Sequence, residues 1–89
     1  MSQIRVILNI TIESRDLDEV SKALASLPEV SDVYEVTGES DIVAIVKADD
    51  VIGFRNMLKN KILKVDGIKT TVTSVIMYVH KKDGKIVDN

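Results

Sequence analysis

The side chains able to do chemistry are few, and most have a plainer use. The one histidine, His80, is followed by Lys81 and Lys82 at the end of an apolar run. A hydrolytic relay needs a serine beside an imidazole that a carboxylate orients, and no nucleophile motif lies near His80. A solvated strand-end residue accounts for it far better. Asp49-Asp50 supplies two adjacent carboxylates, but they stand directly before a helical apolar stripe, where such residues cap a helix. The chain has no cysteine, so disulfides, thiolate catalysis and Cys-ligated zinc or iron–sulfur sites are excluded together. No EF-hand-like spacing of oxygen ligands occurs, and no phosphate-cradling loop comes with a supporting arginine. No cofactor or metal is expected.

Two stretches remain, the turn Thr37-Gly38-Glu39-Ser40-Asp41 and the strand Thr70-Thr71-Val72-Thr73-Ser74. Gly38 permits positive φ, which lets successive backbone N–H groups turn outward into a concavity that receives a carboxylate. Asp41 or Glu39 can accept an ammonium group, and threonine hydroxyls can do either job. Together they suit a zwitterion such as an amino acid. The same residues also make an ordinary hairpin and an ordinary strand, since Gly and Asp favour turns and Thr favours strands. Both readings stay open at this level.

The elements that position these residues follow from hydrophobic period. Ile4, Val6, Leu8, Ile10 and Ile12 alternate with Arg5, Asn9 and Thr11, which predicts a strand with one buried face. After the polar stretch Glu13-Ser14-Arg15-Asp16, Leu17, Val20, Leu24 and Leu27 recur at helical spacing, and Pro28 ends that helix. Val30 to Val36 and Asp41 to Lys47 read as a hairpin about the Gly38 turn. Val51, Phe54, Leu58 and Ile62 mark a second helix, with Lys59, Lys61 and Lys64 near its C-terminal end where cations complement the dipole. Asp66-Gly67 breaks the chain, Ile68 to Val79 reads as a long strand, and Ile86-Val87 as a short final one. The order β-α-β-β-α-β is the ferredoxin-like α+β arrangement, a four-stranded antiparallel sheet with two helices on one face.

That arrangement leaves the second sheet face uncovered. Ile42 to Val46 and Val75 to Val79 are each five apolar residues in a row, so both faces of those strands carry apolar groups. Ile7, Val33, Val43, Ile45, Val75, Met77 and Val79 are the expected interface, because a patch of that size marks self-association. The alternative is a C-terminal tail folded back over the face. With 89 residues the chain has room for one domain, and 45% hydrophobic with 29% charged residues is globular composition. Neither a membrane-spanning run nor a signal peptide is present, and a cytoplasmic location is expected. A net charge of −2 and few aromatics argue against direct nucleic-acid binding.

Val33-Tyr34-Glu35-Val36-Thr37-Gly38-Glu39-Ser40-Asp41-Ile42 resembles the hairpin of the ligand-binding (RAM) domain of Lrp/AsnC regulators, whose V-x-x-G-x-x-D pattern it shares in the G-x-x-D part, Gly38 to Asp41, with Val36 one position closer to the glycine. Val65-Asp66-Gly67-Ile68-Lys69-Thr70-Thr71-Val72-Thr73-Ser74-Val75 resembles that family's later strand entry, and the likeness covers about residues 4–82. The resemblance implies binding of an amino acid or related small effector at Gly38 and Asp41, with Glu39, Ser40, Thr71 and Thr73 nearby. It also implies dimers paired through their sheets and octamer-like rings. Ser40 stands where the family often has an aromatic residue. The chain starts at the first strand, without the family's helix-turn-helix domain, so it resembles a stand-alone RAM domain (residues 1–89) able to co-assemble with full-length Lrp/AsnC regulators. The competing readings are a ligand-free oligomerisation module and, more remotely, a small dimeric α+β enzyme.

Overall fold

The computed structural model of the protein describes residues 3–13 and 16–88. The expected polar turn at residues 13–16 includes Ser14 and Arg15, which lie outside the described residues. The main elements run β1 (Ile4–Ile12), α1 (Leu17–Ala25), β2 (Val30–Glu35), β3 (Ile42–Ala48), α2 (Val51–Asn60), a 3-10 turn (Ile62–Lys64) and β4 (Ile68–Val75). A small hairpin, β5 (Lys81–Lys82) and β6 (Lys85–Ile86), follows. The four long strands form one antiparallel sheet in the order β2-β3-β1-β4, which is the ferredoxin-like topology read from the sequence.

Alternation along the two central strands decides where the core lies. Val6, Leu8 and Ile10 of β1 and Ile42, Ala44 and Val46 of β3 are fully buried, and they meet Val20 and Leu24 of α1 and Phe54 and Met57 of α2. Truncating a side chain such as Leu8 in this layer to alanine costs about 2–5 kcal/mol. Asp50 caps α2 by accepting a 2.7 Å hydrogen bond from the Gly53 N–H. Val51, counted in the apolar stripe of α2, is instead exposed, and Met57 takes a buried place.

The helices and the last strand are shorter than the apolar patterns suggest. Helix α1 stops at Ala25, where the Ser26 hydroxyl donates to the Ala23 carbonyl at 2.7 Å and the Leu27 N–H donates to the Leu24 carbonyl at 3.1 Å, a tightened turn just before Pro28. Strand β4 ends at Val75 rather than Val79. Its partner β1 begins only at Ile4, so after the Ile76 N–H donates to the Arg5 carbonyl at 2.9 Å no ladder remains. The chain then runs extended to the β5–β6 hairpin, whose turn places Asp83 and Gly84 at φ +50° and +80°, as a type I′ turn requires.

Lys61, at the end of α2, donates to Glu29 at the entry to β2 and ties the second helix to the sheet edge. That hydrogen bond holds the Glu29 carboxyl below its ordinary value of 4.5. A carboxyl lowered in the folded state adds stability above its unfolded pKa and loses it as pH falls through the native one. The pair is partly solvated, so the effect is modest. Urea midpoints compared between about pH 6 and pH 3 are expected to fall less in Lys61→Met than in the parent; equal falls would remove the ion pair from this role.

Candidate functional site

The β2–β3 turn is closed by three hydrogen bonds that all involve Asp41. The Val36 N–H donates to the Asp41 carbonyl at 3.0 Å, and the Asp41 N–H donates to the Ile10 carbonyl at 2.9 Å. The Ile12 N–H donates to Asp41 Oδ2 at 2.9 Å. The last bond falls where the β1–β4 register slips between Thr11 and Ile12, so the carboxylate serves a backbone donor at an irregularity in the ladder. Gly38 has φ +107°, the left-handed region that the turn demands, and a Cβ there would meet nothing within 4 Å. Gly38 and Glu39 are exposed, and Ser40 and Asp41 half-buried. The hairpin therefore binds one Asp41 carboxylate oxygen, Oδ2, to the Ile12 N–H.

The threonines divide between the two faces. Thr71 and Thr73 stand opposite the buried Ile10 and Leu8 in the register, so they point to the helix side of the edge strand β4. Thr70 stands opposite Thr11 on the open side, and their hydroxyls hydrogen-bond to each other. Asp41 precedes the Ile42–Ile10 pair at this same end of the sheet. The turn and Thr71 thus share an end of the sheet but not a face. Among the described residues, clefts lined by Asp16 and Asp66, by Glu29 and Asn56, by Arg5 and Tyr78, and by Lys22 and Val33 lie away from Gly38–Asp41, Thr71 and Thr73. Among the described residues no group of three or more metal-ligating side chains converges, and no helix is long and apolar enough to cross a membrane.

The open face carries Ile7, Val43 and Ile45, half-buried at its centre. Two further expectations need correction. Val33 is opposite Ala44 and packs against the helix-side core, because the bulge between Val30 and Asp32 sets the parity of β2. Val75 is opposite Val6 and so belongs to the helix side, 40% exposed on the outermost strand. Met77 and Val79 lie beyond the end of β4, in the segment that leads to β5. The side chains that do share the open face are Tyr34 opposite Val43, Asp32 opposite Ile45, and Val72 and Ser74 on β4. These the sequence pattern missed; counting parity outward from Leu8 through the register recovers them, but the register itself was not legible. Tyr34 donates to Asp32 at 2.9 Å. The Ser31 hydroxyl first, and Tyr34 second, hold the Asp32 carboxyl below its ordinary range, while Asp32 raises the Tyr34 hydroxyl.

Comparison with known proteins places this geometry. The model of the Lrp/AsnC ligand binding domain matches residues 5–86, nearly the whole chain. The chain belongs to the Lrp/AsnC family. An uncharacterised HTH-type transcriptional regulator of Pyrococcus abyssi is 31% identical over 80 residues, covering 90% of this chain and 54% of that protein. The chain thus spans about half the length of the curated relatives it matches. The crystal structure of the protein TTHA0845 from Thermus thermophilus superposes with a TM-score of 0.81 at 29% identity, covering 89% of this chain and 99% of that one. The fold is shared with a transcriptional regulator of Neisseria meningitidis solved with L-methionine, at a TM-score of 0.83 and 17% identity, over 94% of this chain and 56% of that one. In this Lrp/AsnC domain the hairpin that carries the family pattern is the one that Asp41 closes.

The Asp41 bond has a cost when removed. Asp41→Ala leaves the half-buried Ile12 N–H without its acceptor, and urea denaturation without ligand is expected to show a loss of about 1 kcal/mol or more. An unchanged midpoint would show that the carboxylate has no structural share at this turn.

Proposed function

We propose that residues 1–89 form one effector-binding domain that takes up an amino acid or related small molecule at the Gly38–Asp41 turn and pairs with a second copy through its open sheet face, in the service of transcriptional regulation. Membership of a ligand-binding-domain family carries the reading. The turn's chemistry supports it, since Gly38 is held at positive φ and Asp41 keeps Oδ1 outside the bond to Ile12. On this reading Thr70 and Thr11, rather than Thr71 and Thr73, supply hydroxyls on the same side as the face that pairs. Higher assembly of such pairs into rings, and co-assembly with full-length family members, follow if the turn lies at contacts between pairs.

A second reading, an oligomerisation module without effector, is favoured by one observation: half of the Asp41 carboxylate is already committed to Ile12. Thermal denaturation with each of the twenty amino acids, L-methionine first, separates the two. A ligand at about a hundredfold its Kd stabilises by ~2.7 kcal/mol, which raises Tm by several degrees in a domain this small. At least one amino acid is expected to do so. A flat response to all twenty from the assembled protein would overturn the effector reading and leave the module reading standing.

A further inference from the structure

The β2–β3 turn offers donors from its backbone and stands among carboxylates. Among the described residues, the N–H groups of Gly38, Glu39 and Ser40 donate to no protein acceptor, and Gly38 and Glu39 are exposed. Successive unbonded N–H groups at a positive-φ residue make a place for an anion. The charge around them has the opposite sign. Glu39 lies in the turn itself, and Glu13 follows Ile12, whose N–H binds Asp41 Oδ2. The Glu13 N–H donates in turn to the Gly67 carbonyl at 2.8 Å, which ties the corner Asp66-Gly67 to the same place. Glu13, Glu39 and Asp66 are exposed, and their carboxylates enter no hydrogen bond or ion pair among the described residues. Against these three and Asp41 stand only Lys64 and Lys69, on either side of the Asp66-Gly67 corner. The first turn of α1 adds Asp18 and Glu19 at this end of the sheet.

We infer that the effector of this turn is an α-amino acid with a cationic side chain, of the lysine, ornithine or arginine kind. Its carboxylate takes the N–H groups of the turn and its α-ammonium takes Asp41. Its second cation goes to the exposed carboxylates that the two backbone bonds hold beside Asp41, those of Glu13 and Asp66, with Glu39 adding to the same field. The inference rests on the effector reading above and narrows it to one charge class. An amino acid with a neutral side chain uses only the first two contacts. An acidic one brings a second carboxylate to an end of the molecule already in excess of them, and so is rejected by repulsion as well as by lack of a partner. Each exposed ion pair adds little by itself, so the preference comes from several carboxylates acting together. The same field draws cations toward this end of the molecule and weakens as salt is added.

Isothermal titration calorimetry on the full chain at low ionic strength tests it, with L-lysine, L-arginine, L-methionine, L-glutamate and cadaverine as probes. L-Lysine or L-arginine is expected to bind at least about tenfold tighter than L-methionine, and L-glutamate not at all. High salt shrinks that preference. Cadaverine, which is lysine without its carboxylate, is expected to bind at least about tenfold more weakly than L-lysine, because it leaves the N–H groups of the turn unused. Glu13→Gln/Asp66→Asn is expected to bring L-lysine to within about threefold of L-methionine, with an unchanged circular dichroism spectrum because both side chains are exposed. Glu39→Gln moves the ratio in the same direction and serves if the double variant fails to fold. If L-methionine or L-glutamate binds as tightly as the basic amino acids, or the variants keep the full preference, the charge inference is overturned and the effector reading stands. If cadaverine matches L-lysine, the contact of the carboxylate with the turn is overturned, and the inference with it. If none of the amino acids binds, both the inference and the reading beneath it are overturned.

Discussion

A strand shows alternate side chains to opposite faces, so a run of five apolar residues in a central strand must bury one set and offer the other. Strand β3 is such a run, from Ile42 to Val46, and both helices lie on one side of it. Ile42, Ala44 and Val46 go into the core with Leu8 and Ile10; Val43 and Ile45 go to the side without helices, next to Ile7. The rest of the molecule answers to this division. The register of β1 against β3 and β4 fixes which side chains share the open face, and the connections between strands set what stands at each of its ends. One end carries the Asp41 turn with the Thr11–Thr70 hydroxyl pair, and the other carries Arg5, Asp32 and the segment that leads to β5.

The hairpin commits one carboxylate oxygen to local structure. Asp41 satisfies an otherwise unpaired donor at Ile12 and leaves its second oxygen over. An aspartate at this position therefore has a structural reason beside any functional one. The same double use explains why sequence reasoning could not decide between an ordinary turn and a binding turn: the residue types that build the one also build the other.

Much of the fold was legible. The alternation of Val6, Leu8 and Ile10, the helical stripe through Val20 and Leu24, and the Asp50 cap predict elements that the structure contains, and their order predicts the topology. What was not legible depends on register. The bulge between Val30 and Asp32 moved Val33 to the helix side, and the slip between Thr11 and Ile12 goes with the parity that put Val75 opposite Val6. A bulge leaves no mark in composition, because it is set by pairing with a distant strand. The end of β4 was hidden for a related reason. Ile76 to Val79 has the composition of a strand, yet β1 supplies no partner beyond Ile4, so β propensity had nothing to pair with.

The proposed cover of the open face by a second copy is tested most directly by the mass of the particle in solution. Light scattering on the unmodified chain at micromolar concentration is expected to give twice 9.8 kDa or a larger even multiple. A stable particle of 9.8 kDa would contradict it.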